Sequence, residues 1–237
     1  MKRLFIAFFV LCLSATVHSK EVTLVAGLSL PPYIIQESNS GMEYEIIKEG
    51  LAANGHTLVF KYVPFVRLAV DYKKHDGAIT VNESSGASGH YSDVVMVYQN
   101  YAISLKEKNI HIEKIGDLSD KKIVAFQNAT KYLGPAFKDA VTGNPGYKEQ
   151  GKQILQVKML YSGRTDTIVS DINIFKYYRK QVSGVDTSEP VSYHDIFPPT
   201  DYKVLFNDKD LRDEFNKGLA ELKKSGRYDA IIDSYVK

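Results

Sequence analysis

The chain has 237 residues and nearly balanced charge, with 30 lysines and arginines against 28 aspartates and glutamates. No basic block or stripe is present, which disfavours nucleic-acid binding. The only cysteine is Cys12, so the sequence excludes an internal disulfide, and metal sites built on several cysteines are excluded with it.

The N-terminus is typical of an export signal. Two basic residues precede an apolar segment at 4–13, which is too short to span a bilayer. Val17 and Ser19 fit the small-residue rule for signal cleavage, so we expect residues 1–19 to be removed. The mature chain then contains no cysteine and 28 charges of each sign, and this combination predicts a periplasmic protein.

Strands and helices alternate through the first part of the mature chain. Apolar periodicity and turn residues predict strands at 22–26, 57–63 and 78–81, with helices at 42–51 and 67–74. This β-α-β-α-β order is typical of a parallel sheet with right-handed crossovers. A polar loop at 82–90 then leads into one long β-prone run at 94–105, which is long enough to leave one lobe and enter another.

A second α/β series follows. It comprises strands at 122–126, 167–170, 191–193 and 202–206, and helices from about 130, at 154–162 and at 172–180. Two helices close the chain, the first with an apolar stripe at Leu211, Phe215, Leu219 and Leu222 and the second at 228–235. Two α/β series joined by extended segments predict two lobes with a cleft between them.

The segment GRTDTIVSDINIFKYY, residues 163–178, is the most informative stretch for function. Asp171 stands where a short apolar strand gives way to a helix. Ligands bind outside the carboxyl ends of strands in open α/β sheets, and a carboxylate there suits a cationic group. Asp is also a favoured helix N-cap, so a capping role and a ligand-binding role both stay open, and one side chain can perform both.

The turn at 127–130 follows the strand KIVAF and opens a helix. Free backbone N–H groups at such a turn, together with the helix dipole, can bind an anion. The alternative is that Thr130 simply caps the helix.

Taken together, these segments resemble the periplasmic solute-binding proteins of the type II fold, specifically the amino-acid-binding family 3 of ABC importers. The resemblance covers essentially the whole mature chain, and its carriers are PPYIIQESNSGMEYEIIKEGLAANG, VPFVRLAVDYKKHDGAIT, YSD at 91–93, DLSDKKIVAFQNAT, GRTDTIVSDINIFKYY and FNKGLAELKKSGRYDAIIDSYVK. It implies a two-lobed α/β fold with mixed, mostly parallel sheets. The large lobe would comprise 20–101 plus 205–237 and the small lobe 102–204, with hinge strands near 101–105 and 202–206 and a cleft that closes on the ligand.

The resemblance also implies roles for individual residues. Asp171 matches the aspartate that binds a ligand's α-amino group, and the turn at 127–130 matches the turn that holds the ligand carboxylate. The remaining implied contacts are aromatic walls and strand-end polar groups. Together with Arg67, which the resemblance does not imply, the predicted ligand-binding residues are Tyr33, Phe65, Thr80, Asn82, Gln127, Asn128, Ala129, Thr130 and Asp171.

One departure from the family pattern concerns the ligand carboxylate. The family usually carries an arginine that clamps this group in a bidentate fork, but the corresponding loop here, NESSGASGHYSD, contains no arginine or lysine. Arg67 is a possible substitute, or it is a surface cation. Without the clamp, the ligand could be an amine lacking a carboxylate, a modified amino acid or an unrelated compound.

The sequence therefore predicts a binding protein without catalytic residues, cofactor or metal, which delivers a small polar solute to an ABC importer and acts as a monomer. Two alternatives stay open. The first is a dehydratase-like enzyme on the same scaffold, for which Glu83, His90 and Asp171 are the acid–base candidates. The second is a sensing module that reports its ligand to a separate membrane receptor. The histidines are scattered, with no His-x-x-x-His pair to suggest a metal site.

Overall fold

The computed structural model describes residues 19–64 and 67–237. The predicted signal peptide up to residue 18 and the predicted site residue Phe65 lie outside the described residues. Among the residues described, no helix combines the length and the apolar character needed to cross a membrane.

Strands and helices alternate along the described chain. The strands are β1 (Glu21–Ala26), β2 (Thr57–Tyr62), β3 (Gly77–Val81), β4 (His90–Tyr91), β5 (Met96–Tyr98), β6 (Asn100–Leu105), β7 (Ile123–Phe126), β8 (Tyr147–Gln150), β9 (Thr167–Asp171), β10 (Val191–His194) and β11 (Thr200–Phe206). The helices are α1 (Met42–Ala52), α2 (Leu68–Asp71), α3 (Ala129–Tyr132), α4 (Pro135–Val141), α5 (Gln153–Tyr161), α6 (Ile172–Gln181), α7 (Lys209–Ser225) and α8 (Arg227–Val236).

These strands form two mixed sheets, one in each lobe of a two-lobed α/β fold. The first sheet has the order β2-β1-β3-β11-β4, with β5 also pairing with β11, and the second has the order β10-β6-β9-β7-β8. In the first sheet β1 pairs in parallel with both β2 and β3, while β11 is antiparallel to its neighbours. In the second, β7 is parallel to β8 and β9, while β6 is antiparallel to β9 and β10.

The chain crosses between the sheets twice. The β-prone run at 94–105 leads from the first sheet to the second, as predicted, but it forms two strands, β5 and β6, with Gln99 between them. The backbone N–H of Gln99 donates to the Asp171 carboxylate, 2.9 Å away, instead of to a strand neighbour. The return crossing lies between β10 and β11. The exact division into lobes at 101/102 and 204/205 stays a prediction.

Close packing of two helices organises the core of the first lobe. α1 and α7 meet at Gly50 and Gly218, where a Cβ added to Gly218 would lie 2.0 Å from the Gly50 carbonyl oxygen. Helix α6 follows a strand of the second sheet, yet its Ile174 is buried in the main apolar cluster of the first lobe. The two lobes are therefore in contact, and the residues of the cleft are buried between them.

Candidate functional site

Asp171 is a buried carboxylate at the boundary between β9 and α6. Its Oδ1 caps α6 by accepting from the N–H groups of Asn173 and Ile174, at 2.9 and 3.1 Å, and it also accepts from the Tyr33 hydroxyl at 2.7 Å. Its Oδ2 accepts from the N–H of Gln99. Burial raises the pKa of Asp171 to about 6, and these hydrogen bonds limit the rise. The capping role expected from the sequence is confirmed by this geometry.

Tyr33 reaches Asp171 from the first lobe and is itself fully buried. Burial and the adjacent carboxylate raise the pKa of the Tyr33 hydroxyl well above its usual value, so this hydroxyl is the donor in the contact. The Tyr33 ring stacks on Tyr98 with 3.8 Å between ring centroids and 17° between planes. Tyr202 packs edge-on against Tyr98 at 4.6 Å, so the contact between the lobes is rich in tyrosine.

A second buried carboxylate, Glu43, lies on the other side of this tyrosine pair. Its Oε2 accepts from the Tyr98 hydroxyl at 3.1 Å and its Oε1 from the Thr80 hydroxyl at 2.9 Å. The Glu43 side chain is completely shielded from solvent. This burial raises its pKa to about 7 despite the two hydrogen bonds. We call Asp171, Tyr33, Tyr98, Glu43 and Thr80 the buried network.

Thr80 contributes backbone strain to the buried network. Its φ is +55°, in the left-handed region that β-branched residues rarely adopt. Such a conformation costs about 1–3 kcal/mol and persists only where the surroundings enforce it. Strained residues of this kind cluster at binding sites, and Thr80 lies in β3 one residue before its carboxyl end.

The predicted anion-binding turn lies beside Asp171 on the second sheet. The parallel register of β7 and β9 pairs Ala125 with Val169, so continuing it by two residues brings Gln127 level with Asp171. The N–H groups of Asn128 and Thr130 do bind a carboxylate, but it is that of Glu149 on β8, at 2.7 and 3.3 Å.

Glu149 is held at this turn by two hydroxyl groups as well. Thr130 donates from its hydroxyl at 3.2 Å and Tyr147 from its phenol at 2.9 Å. Partial burial opposes ionisation of Glu149, but these hydrogen bonds and the backbone N–H donors keep its pKa below the usual value. Glu149 is therefore an ionised internal ligand of the turn. Of the predicted turn residues, Gln127 and Asn128 are exposed, Thr130 is half-buried and Ala129 is buried.

Two other predicted site residues have local partners. Arg67 precedes α2 and donates to the Asp71 carboxylate at 2.9 and 3.1 Å, with 57% of its side chain exposed. Asn82 accepts from the Ser84 N–H and donates to the Asp201 carbonyl oxygen at 3.1 Å. The structure thus brings Tyr33, Thr80 and Asp171 into one network and gives Arg67 and Asn82 separate contacts.

Three residues of the site were not predicted from the sequence. Glu43 did carry a signal, since it lies one turn before the buried Ile46 and Ile47 and therefore on the apolar face of its helix. Tyr98 was assigned only to a long strand, and Glu149 lies on a charged strand that was not predicted at all.

Comparisons with known proteins agree with this architecture. The model of the bacterial extracellular solute-binding proteins, family 3, matches residues 22–237. A search of curated protein sequences finds no match.

Three solved structures illustrate the similarity in fold. The GluR0 ligand-binding core in complex with L-glutamate is 13% identical, with a TM-score of 0.68, covering 92% of this chain and 98% of that one. The P235GK mutant of the arginine-binding protein from T. maritima is 22% identical, with a TM-score of 0.63 and coverages of 90% and 94%. The ancestral amino-acid-binding protein AncCDT-1, a precursor of cyclohexadienyl dehydratase, is 20% identical, with a TM-score of 0.65 and coverages of 91% and 96%.

Proposed function

Because the chain belongs to the bacterial extracellular solute-binding proteins of family 3, we propose that it binds a small polar solute with a protonated amino group between its two lobes. The observation that carries this proposal is the environment of Asp171. Its carboxylate is buried and accepts from one hydroxyl and three backbone N–H groups. In the described part of the chain, no lysine, arginine or histidine forms an ion pair with it.

A cationic ligand would remove the electrostatic cost of this arrangement. A buried carboxylate without a positive partner is costly, and burial accordingly raises the pKa of Asp171. A ligand ammonium group placed where the Tyr33 hydroxyl now donates would form a charge-assisted hydrogen bond, about twice as strong as the neutral one. When the lobes separate, Tyr33 and Asp171 part, and the site becomes accessible to such a ligand.

The cellular role follows from this binding activity. We place the protein in the periplasm, with an ABC-transporter permease as its partner, and the family match supports this placement. Measuring ligand uptake by cells that lack the gene tests this transport role. Loss of uptake supports transport. Normal uptake with loss of the transcriptional response to the ligand supports sensing.

A thermal-shift screen of the mature protein tests the proposed binding directly. The panel contains amino acids, amines and small organic acids, and each stabilising compound is recovered and quantified after incubation. We expect a compound with a protonated amine to raise the melting temperature and to be recovered unchanged. If only compounds without an amine stabilise the protein, the role of Asp171 is refuted.

The variant Asp171→Asn tests whether the negative charge of Asp171 contributes to binding separately from its role as helix cap. Asparagine caps helices about as well as aspartate, so its oxygen should keep the cap and the fold should persist. The Gln99 N–H loses its acceptor, and the amine loses its charge-assisted contact. We expect the affinity for the amine to fall by about fivefold, because a neutral hydrogen bond in place of the charge-assisted one contributes about 1 kcal/mol less. Asp139→Asn, an exposed aspartate on α4 of the same lobe, is the matched control and should leave the affinity unchanged.

A second candidate function is favoured by one observation. Glu43 has its pKa raised by burial to about 7, which is the range that suits a general acid or base at neutral pH. Consumption of a stabilising compound in the screen, abolished by Glu43→Gln, would support an enzyme instead of a binding protein.

A further inference from the structure

The contacts of Glu149 restrict the ligand chemistry of the site. The carboxyl ends of β7 and β9 lie side by side, because these strands are parallel neighbours. One end presents the Asp171 carboxylate, and the other presents the N–H groups of Asn128 and Thr130. The Glu149 carboxylate already occupies those N–H groups. This edge of the second sheet therefore offers two carboxylates to a ligand, and the N–H groups of Asn128 and Thr130 are already occupied.

Within the described part of the chain, no arginine compensates for this negative charge. Among the residues described, four of the five arginines bind groups of this chain, and the fifth, Arg164, precedes β9 at the end opposite Asp171. The four partnered side chains are Arg67 with Asp71, Arg179 with the Thr187 and Glu189 carbonyls, Arg212 with Asp213 and the Tyr91 carbonyl, and Arg227 with Glu49.

Lys131 is the cation nearest in sequence to the turn. It is exposed, and its ammonium lies 5.9 Å from the centroid of the Tyr132 ring. A solvated lysine adds little to the binding of a carboxylate, because exposed ion pairs contribute at most about 1 kcal/mol. The charges around the site therefore favour cations.

We propose that the ligand is an organic amine without a carboxylate, and that Glu149 is the residue that excludes α-amino acids. This inference rests on the proposed function, in which Asp171 binds the ligand's ammonium group. A zwitterion placed there would bring its carboxylate toward Glu149, where like charges repel and the N–H donors are already occupied. An amine of the same shape meets no such repulsion, and the tyrosine rings attract its cationic end.

Matched pairs of compounds test this specificity. Each pair is an α-amino acid and the amine left after its decarboxylation: arginine and agmatine, lysine and cadaverine, histidine and histamine, tyrosine and tyramine. Affinities are measured by calorimetry on the full mature protein. We expect at least one amine to bind at least tenfold more tightly than its amino acid.

The variant Glu149→Ala assigns the selectivity to this residue. Removing the carboxylate frees the N–H groups of Asn128 and Thr130. For the pair in which the unaltered protein prefers the amine, the affinity for the amino acid should rise at least tenfold, while the affinity for the amine should change by a smaller factor. Glu149→Gln keeps one oxygen acceptor and should give a smaller gain. Glu107→Ala, an exposed glutamate of the same lobe, should change neither compound. Circular dichroism confirms that each variant is folded.

The outcomes separate this inference from the proposed function. If α-amino acids bind the unaltered protein as tightly as their amines, the inference is overturned and the role of Asp171 stands. If amines are preferred but Glu149→Ala leaves the ratio unchanged, the assignment to Glu149 is overturned. If neither class binds, the proposed function fails and the inference fails with it.

Discussion

Replacing Glu43 with glutamine should make the protein relatively more stable as the pH rises. In the unfolded chain this carboxyl ionises near its usual pKa of 4.5, whereas burial raises the folded pKa to about 7. Between these values the unfolded state releases a proton that the folded state keeps. The stability that Glu43 contributes is therefore present below pH 4.5 and is lost as the pH rises through 7.

The magnitude follows from the two pKa values. A difference of about 2.5 pH units, at about 1.4 kcal/mol for each, corresponds to about 3 kcal/mol in total. Most of this loss falls between pH 5 and pH 8, where it amounts to about 2–3 kcal/mol. Glutamine preserves the size of the side chain and can still bond the hydroxyls of Thr80 and Tyr98, but it does not ionise.

Urea unfolding at pH 5, 6, 7 and 8, followed by circular dichroism, measures the effect. We expect the free energy of unfolding of Glu43→Gln, minus that of the unaltered protein, to rise by about 2–3 kcal/mol across this range, with unchanged slopes against urea. Asp171 titrates in both proteins, so its contribution cancels in the difference. Glu221→Gln, at an exposed position on α7, is the matched control for the chemical change. A flat difference for Glu43→Gln would refute the shifted titration of this group.

Two further predictions concern packing and surface charge. Gly218→Ala should lower the free energy of unfolding by about 1–3 kcal/mol, because its Cβ would lie 2.0 Å from the Gly50 carbonyl oxygen. The control Gly116→Ala meets no atom within 4 Å and should change this free energy by less than about 0.5 kcal/mol. Equal effects of the two variants in denaturant titrations would contradict the close approach of α1 and α7. Arg67→Ala should leave stability nearly unchanged and amine affinity in calorimetry within twofold, because its guanidinium is largely exposed and paired with Asp71. A tenfold loss of affinity would place Arg67 in the binding site.

Much of the fold could be predicted because the hydrophobic pattern is strong where elements are half-buried. β1, α1, β9 and α6 follow the predicted segments closely, since each carries an apolar period or an apolar run with clear end signals. β8 was missed because its sequence, YKEQ, is polar and charged and lies at the edge of its sheet. The break at Gln99 was missed because it depends on a hydrogen bond to Asp171, which is distant in sequence.

The candidate site was less predictable than the fold. Asp171 could be singled out because its position depends on a local strand-to-helix transition. Glu149 could not, because its contact with the turn requires pairing between β7 and β8 that sequence periodicity does not encode. Glu43 lies on an apolar helical face, and a charged residue in such a position indicates a buried polar contact without identifying its partners.

The buried network also limits how tightly an amine can bind. In the structure Tyr33 already donates to Asp171 and stacks on Tyr98, so a ligand that displaces Tyr33 gains only the difference between its own contacts and those it displaces. Exchanging a neutral hydrogen bond for a charge-assisted one gives about 1 kcal/mol, or about a fivefold gain in affinity. The remaining affinity must come from apolar contact with the tyrosine rings and from cation–π attraction. Amines with a hydrophobic or extended body should therefore bind more tightly than small ones such as methylamine.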